Sequence, residues 1–306
     1  MTIAGVLPVI STPFTAELEI DRTALARELD WLILNGADGL VVAMVSELPR
    51  LTGSERMSLG DLILDYDAGR VPVVLSVGSE STREAQRLTR HAVEAGAAAV
   101  MANPPLTVFP SGPQLMSYFR TIVEEAGDVP VVIQDASGYI GRPLELSLVV
   151  ELLDRYGSEQ VLFKPEAQPL GPRLTELHSA TGGHARVFDG SGGVALVDSY
   201  RRGIVGTMPG ADLVWAIAGL WRALTDQDLE TTYLISSALA PVLAQLSNLD
   251  SYVAMEKYLL AKQGVIEHEH RLAPTAFDLD DISKLETDRL FERLVNVAGG
   301  PKPLPA

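Results

Sequence analysis

Eight times in its first 225 residues the chain repeats one two-part pattern. A short run of β-branched and apolar residues is followed by a longer segment with helical periodicity. The runs are Gly5–Phe14, Gly39–Met44, Val71–Val77, Ala98–Met101, Pro130–Gln134, Val161–Lys164, Ala185–Asp189 and Ile204–Met208. Short, continuously apolar runs of this kind read as strands buried on both faces, which is the condition of a parallel sheet covered by helices. The segments between them carry helix-start signals. Asp21 precedes a periodic stretch that stops at Asn35-Gly36, and Thr52-Gly53-Ser54-Glu55 and Ser81-Thr82-Arg83-Glu84 are capping boxes. Eight strand–helix units predict an α/β fold, a (β/α)8 barrel over residues 1–225, with its site at the C-terminal ends of the strands. A doubly wound sheet is the competing arrangement, but no Gly-x-Gly-x-x-Gly follows the first strand.

Beyond Thr225 the strand pattern ends. Asp226–Gln245, Ser251–Gly264 and Ile282–Val297 predict three helices in a C-terminal region spanning 226–306, packed on the barrel or on a neighbouring subunit. Gly299–Ala306, with three prolines, is expected to be a loose tail.

Composition removes several kinds of function. A net charge of −16 argues against nucleic acid or an anionic membrane as partner. The chain has no cysteine, which excludes disulfides, thiolate catalysis and Cys-ligated metal. Met1–Val6 lacks the basic region and apolar core of a signal peptide, and no apolar stretch reaches the roughly 18 residues of a membrane span. A cytoplasmic enzyme or binding protein is expected. His91, His178 and His184 lack metal-ligand spacing; His268-Glu269-His270 could ligate metal but reads better as a solvated linker, so neither metal nor cofactor is expected.

Lysine is the scarce residue. Of five, four (Lys257, Lys262, Lys284 and Lys302) fall in the last fifth, and Lys164 stands alone in the first 256 residues. It ends the apolar run Val161-Leu162-Phe163 and is followed by Pro165-Glu166. Arginine keeps its proton in a protein, whereas a buried lysine can lose it and act as a nucleophilic amine. The plainer alternative is a strand-end lysine paired with Glu166. In a barrel, strand-end residues share one mouth, which would collect Thr12, Met44, Val45, Ser46, Glu47, Gln134, Asp135, Lys164, Glu166, Asp189 and Thr207. That set suits iminium chemistry, in which the amine condenses with a 2-keto group and a nearby acid/base group, here Glu166, moves protons.

These residues resemble the dihydrodipicolinate synthase/N-acetylneuraminate lyase superfamily of class I aldolases. The marks are Gly5-Val6-Leu7-Pro8-Val9-Ile10-Ser11-Thr12-Pro13-Phe14, Glu47 after the second strand, Lys164 ending the sixth, Gly203-Ile204-Val205-Gly206, and Lys257–Pro274 with Gly264-Val265-Ile266 and Arg271-Leu272-Ala273-Pro274. The resemblance implies a Schiff base at Lys164 and a homotetramer built as a dimer of dimers. The departures are specific. The usual Gly-Thr-Thr-Gly-Glu reads Ala43-Met44-Val45-Ser46-Glu47, and the strand-five Tyr-Asn-Val-Pro reads Gln134-Asp135-Ala136-Ser137. Tyr139 stands where the synthases have an arginine, and Pro105-Leu106 where they have a tyrosine pair.

Gln134-Asp135-Ala136 with Phe163-Lys164-Pro165-Glu166 resembles the L-2-keto-3-deoxyarabonate dehydratase branch more closely. By that resemblance Lys164 forms the Schiff base, Glu166 handles protons and Gln134 replaces the tyrosine. Thr12, Val45, Ser46, Asp135, Asp189 and Thr207 would bind the substrate, its carboxylate resting on backbone N–H groups near Val45 and Ser46. Asp189-Gly190-Ser191-Gly192-Gly193 opens a helix and is a weaker candidate for holding a hydroxyl or carboxylate. The expected activity is dehydration of a 2-keto-3-deoxy sugar acid. The rivals are retro-aldol release of pyruvate, a dihydrodipicolinate synthase, and a keto-acid-binding barrel without catalysis.

Overall fold

The computed structural model describes residues 3–140 and 142–305, with the side chains of Tyr139 and Ile140 outside the described set. Eight parallel strands follow in chain order: β1 Gly5–Val6, β2 Leu40–Val42, β3 Val73–Ser76, β4 Ala99–Ala102, β5 Val131–Gln134, β6 Val161–Lys164, β7 Phe188–Asp189 and β8 Gly206–Thr207. β2 to β6 pair in sequence order, and β1 and β7 flank β8. Two isolated bridges, Val9 to Val41 and Phe163 to Val187, join these sheets and close the barrel. The regular strands are shorter than the predicted first, seventh and eighth runs, and Val9 and Val187 of those runs lie in isolated bridges outside the ladders.

Closure follows from the period of two in each strand. Val41, Val74, Met101, Val132, Leu162 and Phe188 point inward and pack with Leu7 and Val9 into an inner core. Their neighbours Leu40, Val42, Val73, Leu75, Val100, Val131, Ile133, Val161 and Phe163 point outward and pack beneath the helices. The helix starts agree with the cap signals. Asp21 accepts from the Thr23 and Ala24 N–H groups, and Thr52 and Glu55 form the reciprocal capping box.

The C-terminal helices Leu229–Leu243, Leu249–Lys262 and Asp281–Ala298 share one core with the barrel helices through Leu239, Val242, Leu259, Leu260 and Leu294. Leu249–Lys262 does more, because it lies across the strand ends. Val253 joins the inner core, and Tyr252 and Glu256 accept hydrogen bonds from the Gly210 and Ala211 N–H groups. The tail is held rather than loose. The Lys302 N–H donates to Asn35 Oδ1 at 2.7 Å, and the Asn35 amide returns a bond to the Lys302 carbonyl. A buried asparagine at the end of the first helix has polar atoms to satisfy, and the tail supplies both partners.

Lys257 on the crossing helix is fully buried, although its position in the lysine-richer last fifth gives no sign of it. Its Nζ lies 2.6 Å from Glu47 Oε1 and donates to the carbonyls of Thr12 at 2.8 Å and His270 at 2.5 Å. Glu47, in the left-handed region at φ 59° between two 3-10 turns, accepts from the Leu272 N–H through its other oxygen. Two further buried carboxylates, Glu28 and Glu256, act on Lys257, and a third, Asp212, acts on Glu256. Burial pushes Glu28 up to about 8, against a bond from the Ser11 N–H, and Asp212 to about 7. Burial and then the charge of Asp212 raise Glu256 well above the usual range, while burial lowers Lys257 against the pull of Glu47.

A carboxylate whose folded pKa is raised binds its proton more tightly folded than unfolded. The stability that Glu28 contributes is therefore present in full below its unfolded value near 4.5 and is lost as pH rises through about 8. The melting temperature is expected to fall as pH is raised from about 5 to 8.5. Glu28→Gln, which keeps an acceptor for the Ser11 N–H, should flatten that slope. Thermal denaturation across this pH range in low salt checks it.

Candidate active site

β5 and β6 are in register so that Gln134 pairs with Lys164, which brings both side chains to the same level of the mouth. Pro165 ends the ladder, and the chain turns so that Glu166 comes back over the strand end. Lys164 Nζ lies 3.1 Å from Glu166 Oε1, with both side chains about 5% exposed or less. Gln134 Nε2 donates to the same oxygen at 2.7 Å. Gln134 Oε1 and Glu166 Oε2 are buried and have no hydrogen-bond partner among the described residues. Burial raises the Glu166 pKa; Lys164 and Gln134 oppose that rise, and the charge of Asp135 adds to it. The plain expectation of a strand-end ion pair and the expectation of an amine at a cavity therefore describe the same two side chains.

Lys164 and Glu166 open on a cavity of about 360 Å³, lined also by Val9, Val45, Gly138, Gln168 and Met208. The rest of its lining is mixed: Ser191 and Val194 come from the segment after β7, Leu243 and Leu246 from the end of the preceding helix and the link after it, and Ser247, Asn248 and Tyr252 from the start of the crossing helix. Lys164 is the only cationic side chain among the described lining residues. A larger groove of about 590 Å³ lies elsewhere, between the Pro104–Pro113 loop and residues 142–151, and holds no amine.

Of the remaining expected residues, Val45 lines the cavity, whereas Thr12, Ser46, Asp135, Asp189 and Thr207 do not; of these five, all but Thr207 have side chains engaged in hydrogen bonds of their own. The Ser46 N–H, one of the two backbone groups expected to meet a substrate carboxylate, donates to the Ala43 carbonyl, and the Ser46 hydroxyl donates to the Ile10 carbonyl at 2.6 Å. The Thr12 hydroxyl donates to the Ser46 carbonyl at 2.7 Å. Asp189 accepts from the Ser191 N–H and hydroxyl and from Ser199 at 2.6 Å, which makes it the brace of its loop. Thr207 is fully buried and is not a lining residue. Asp135 accepts from backbone N–H groups on either side of it and also stands off the cavity. The side chain of Tyr139 lies outside the described residues.

Ser247, Asn248 and Tyr252 are the residues that strand-end reasoning misses, because they arrive from a helix far along the chain. The one local signal is the Asn248-x-x-Ser251 cap, which starts that helix two residues earlier than its apolar pattern indicates. No group of three His, Cys, Asp or Glu side chains is arranged to hold a metal ion among the described residues.

A (β/α)8 barrel with one buried amine and one buried carboxylate facing each other at the end of β6 is the class that fold and site define. Comparison with known proteins carries this further. The model of the Dihydrodipicolinate synthetase family matches residues 2–290, and the chain belongs to that family. Among curated relatives, the L-2-keto-3-deoxyarabonate dehydratase of Azospirillum brasilense is 30% identical over 275 residues, 88% of each chain. The 4-hydroxy-tetrahydrodipicolinate synthase of Methanothermobacter thermautotrophicus is 35% identical over 180 residues, 58% of this chain and 62% of that protein. Against the synthases of Methanococcoides burtonii and Oceanobacillus iheyensis the match likewise spans less than two thirds of the relative, 50% and 65%. Among solved structures, a dihydrodipicolinate synthase from Rhodopseudomonas palustris superposes with a TM-score of 0.86 at 25% identity, covering 95% of this chain and 98% of that one.

Gly190, directly after β7, is required by the site. A Cβ there would sit 2.7 Å from Glu166 Cγ and 2.8 Å from the Pro165 carbonyl oxygen, closer than packed atoms approach. Gly190→Ala is therefore expected to push Glu166 off the amine and to cost about 1–3 kcal/mol of stability. A crystal structure of the variant, with the Lys164–Glu166 distance as readout, and chemical denaturation check both parts.

Proposed function

We propose that this chain is a Schiff-base-forming lyase acting on a 2-keto-3-deoxy sugar acid, and that it acts as a dehydratase. The observation that carries the reading is the 3.1 Å approach of Lys164 Nζ to Glu166 Oε1 beside a cavity in which Lys164 is the only cationic lining residue among the described residues. Lys164 attacks C2 of the keto acid and, with loss of water, forms an iminium that draws electrons from C3. Glu166 takes a C3 proton to give the enamine. It then returns a proton to the C4 hydroxyl, which leaves as water. The conjugated iminium tautomerises through C5 and is hydrolysed, which frees Lys164 and a 2,5-dicarbonyl acid. A carboxyl whose pKa is raised by burial is suited to take and return the same proton.

Three features favour dehydration over the synthase reaction that several relatives are named for. Gln134, an amide, stands where the synthases place a hydroxyl, and its N–H₂ group is spent on the catalytic carboxylate. Among the described residues the cavity lining offers no arginine for a second carboxylate. The relative matched over 88% of both chains is named as a dehydratase of this substrate class. On this reading the tail of the sugar acid meets Ser191, Ser247, Asn248 and Tyr252, and its carboxylate lies toward Val45. The tetrameric assembly and cytoplasmic location belong to the same proposal and rest on the family resemblance; no helix among the described residues is long and apolar enough to cross a membrane.

Borohydride reduction in the presence of pyruvate is expected to add the mass of a reduced pyruvyl adduct to the protein, and Lys164→Ala should abolish it. With 2-keto-3-deoxy sugar acids as substrates, product analysis should give the 2,5-dicarbonyl acid. Release of pyruvate would assign retro-aldol cleavage instead, and binding of keto acids without any covalent adduct would remove the lyase.

A further inference from the structure

Asp135 is buried, carries a negative charge one residue past Gln134, and contacts nothing in the cavity. Its bonds run to two separate loops. Oδ1 accepts from the Glu166 N–H at 2.9 Å, and Oδ2 from the Ala167 N–H at 3.3 Å. Oδ1 also accepts from the Ser137 N–H at 3.1 Å and the Ser137 hydroxyl at 2.9 Å. One carboxylate thus gathers four donors and fastens the chain after β6 to the chain after β5. Both loops contribute to the cavity wall, the first through Glu166 and Gln168 and the second through Gly138.

Gln134, the last residue of β5, and Asp135, the next in the chain, divide the work by alternation. Gln134 holds the Glu166 carboxylate from within the barrel, and Asp135 holds the Glu166 backbone from the other face. Between β5 and the short helix Ser137–Ile140 the chain passes through Ala136 in the left-handed region at φ 51°, a conformation that an L residue holds only when its surroundings enforce it. The Asp135–Ser137 bonds span that residue.

We propose that Asp135 is a positioning residue, whose carboxylate clamps the Glu166–Ala167 backbone to the Ser137 turn and so aims Glu166 at the Lys164 amine. The inference rests on the proposed reading of Lys164 and Glu166 as amine and base. The charge of Asp135 also raises the Glu166 pKa, which keeps it a stronger base than its contacts with Lys164 and Gln134 alone would leave it.

Pyruvate provides a probe that needs no knowledge of the natural substrate. Once bound as an iminium, its methyl protons exchange with D2O only as fast as the base removes them, and proton NMR follows the loss. Counting borohydride-trapped sites on the same sample expresses exchange per competent site, so partial unfolding of a variant does not enter. Asp135→Asn is expected to trap pyruvate as the unmodified protein does and to exchange about tenfold or more slowly per trapped site, since small displacements of a base are costly in rate. The acidic limb of its pH–rate profile should move to lower pH, because the charge that raises Glu166 is gone. Ser137→Ala, which frees only the turn, should slow exchange about threefold, in keeping with the loss of one hydrogen bond.

Exchange per trapped site at the unmodified rate, with the acidic limb unmoved, overturns the proposal even if the variants melt earlier. Loss of trapping in folded Asp135→Asn also overturns it, since the residue would then act on the amine. In the unmodified protein, trapping without exchange removes Glu166 as base and Asp135's role with it. Absence of trapping there withdraws the functional reading and this inference together.

Discussion

The buried contact between Lys164 and Glu166 is the constraint around which the mouth of this barrel is arranged. Two opposite charges taken from water must be compensated by their geometry and by further hydrogen bonds, or the protein would do better with apolar residues. Here the compensation is incomplete by design of the site: Gln134 satisfies one oxygen of Glu166, and its other oxygen faces inward without a partner among the described residues. A group left in that condition carries a standing cost that a bound polar molecule relieves. Gly190 supplies the space for this arrangement and Pro165 the turn that creates it.

A second charged pair, Lys257 with Glu47, plays the opposite part. It faces no cavity, its amine is fully engaged with a carboxylate and two carbonyls, and it joins the crossing helix to the ends of β1 and β2. Both lysines are buried, yet only Lys164 has a cavity beside it and a partner with a free oxygen. What separates the two lysines therefore lies in what surrounds the nitrogen, not in its burial. The extra carboxylates linked to Lys257, directly or through Glu256, keep protons that carboxylates in water would release, which links the attachment of the crossing helix to pH.

Much of this was legible in the residues. The eight apolar runs and the cap signals at Asp21, Thr52 and Ser81 contain the barrel, because strand burial and helix starts are local properties. Lys164 and Glu166 were legible too, since only the Pro165 interruption separates them. Side-chain direction was not. Ser46, Asp135, Asp189 and Thr12 sit at strand ends as their spacing indicates, but each spends its polar atoms on neighbouring backbone or hydroxyl groups rather than on the cavity. Sequence spacing gives a residue's level in the barrel and says nothing of which competing donor it finds. The burial of Lys257 and the tying of Lys302 to Asn35 were hidden for a related reason, as both partners lie more than 200 residues away.

Ser247, Asn248 and Tyr252 contribute to the wall of the cavity, while the amine and the carboxylate come from the end of β6 and the turn just after it. On the proposed reading, the residues that would carry the chemistry and those that would meet the far end of a ligand are encoded some 80 residues apart and carried on different elements. Exchange of the short stretch leading into the crossing helix would retune which ligand tails fit, leaving the reactive floor untouched. A lineage built on this plan can diversify its diet by drift in one helix start while its chemistry stays the same.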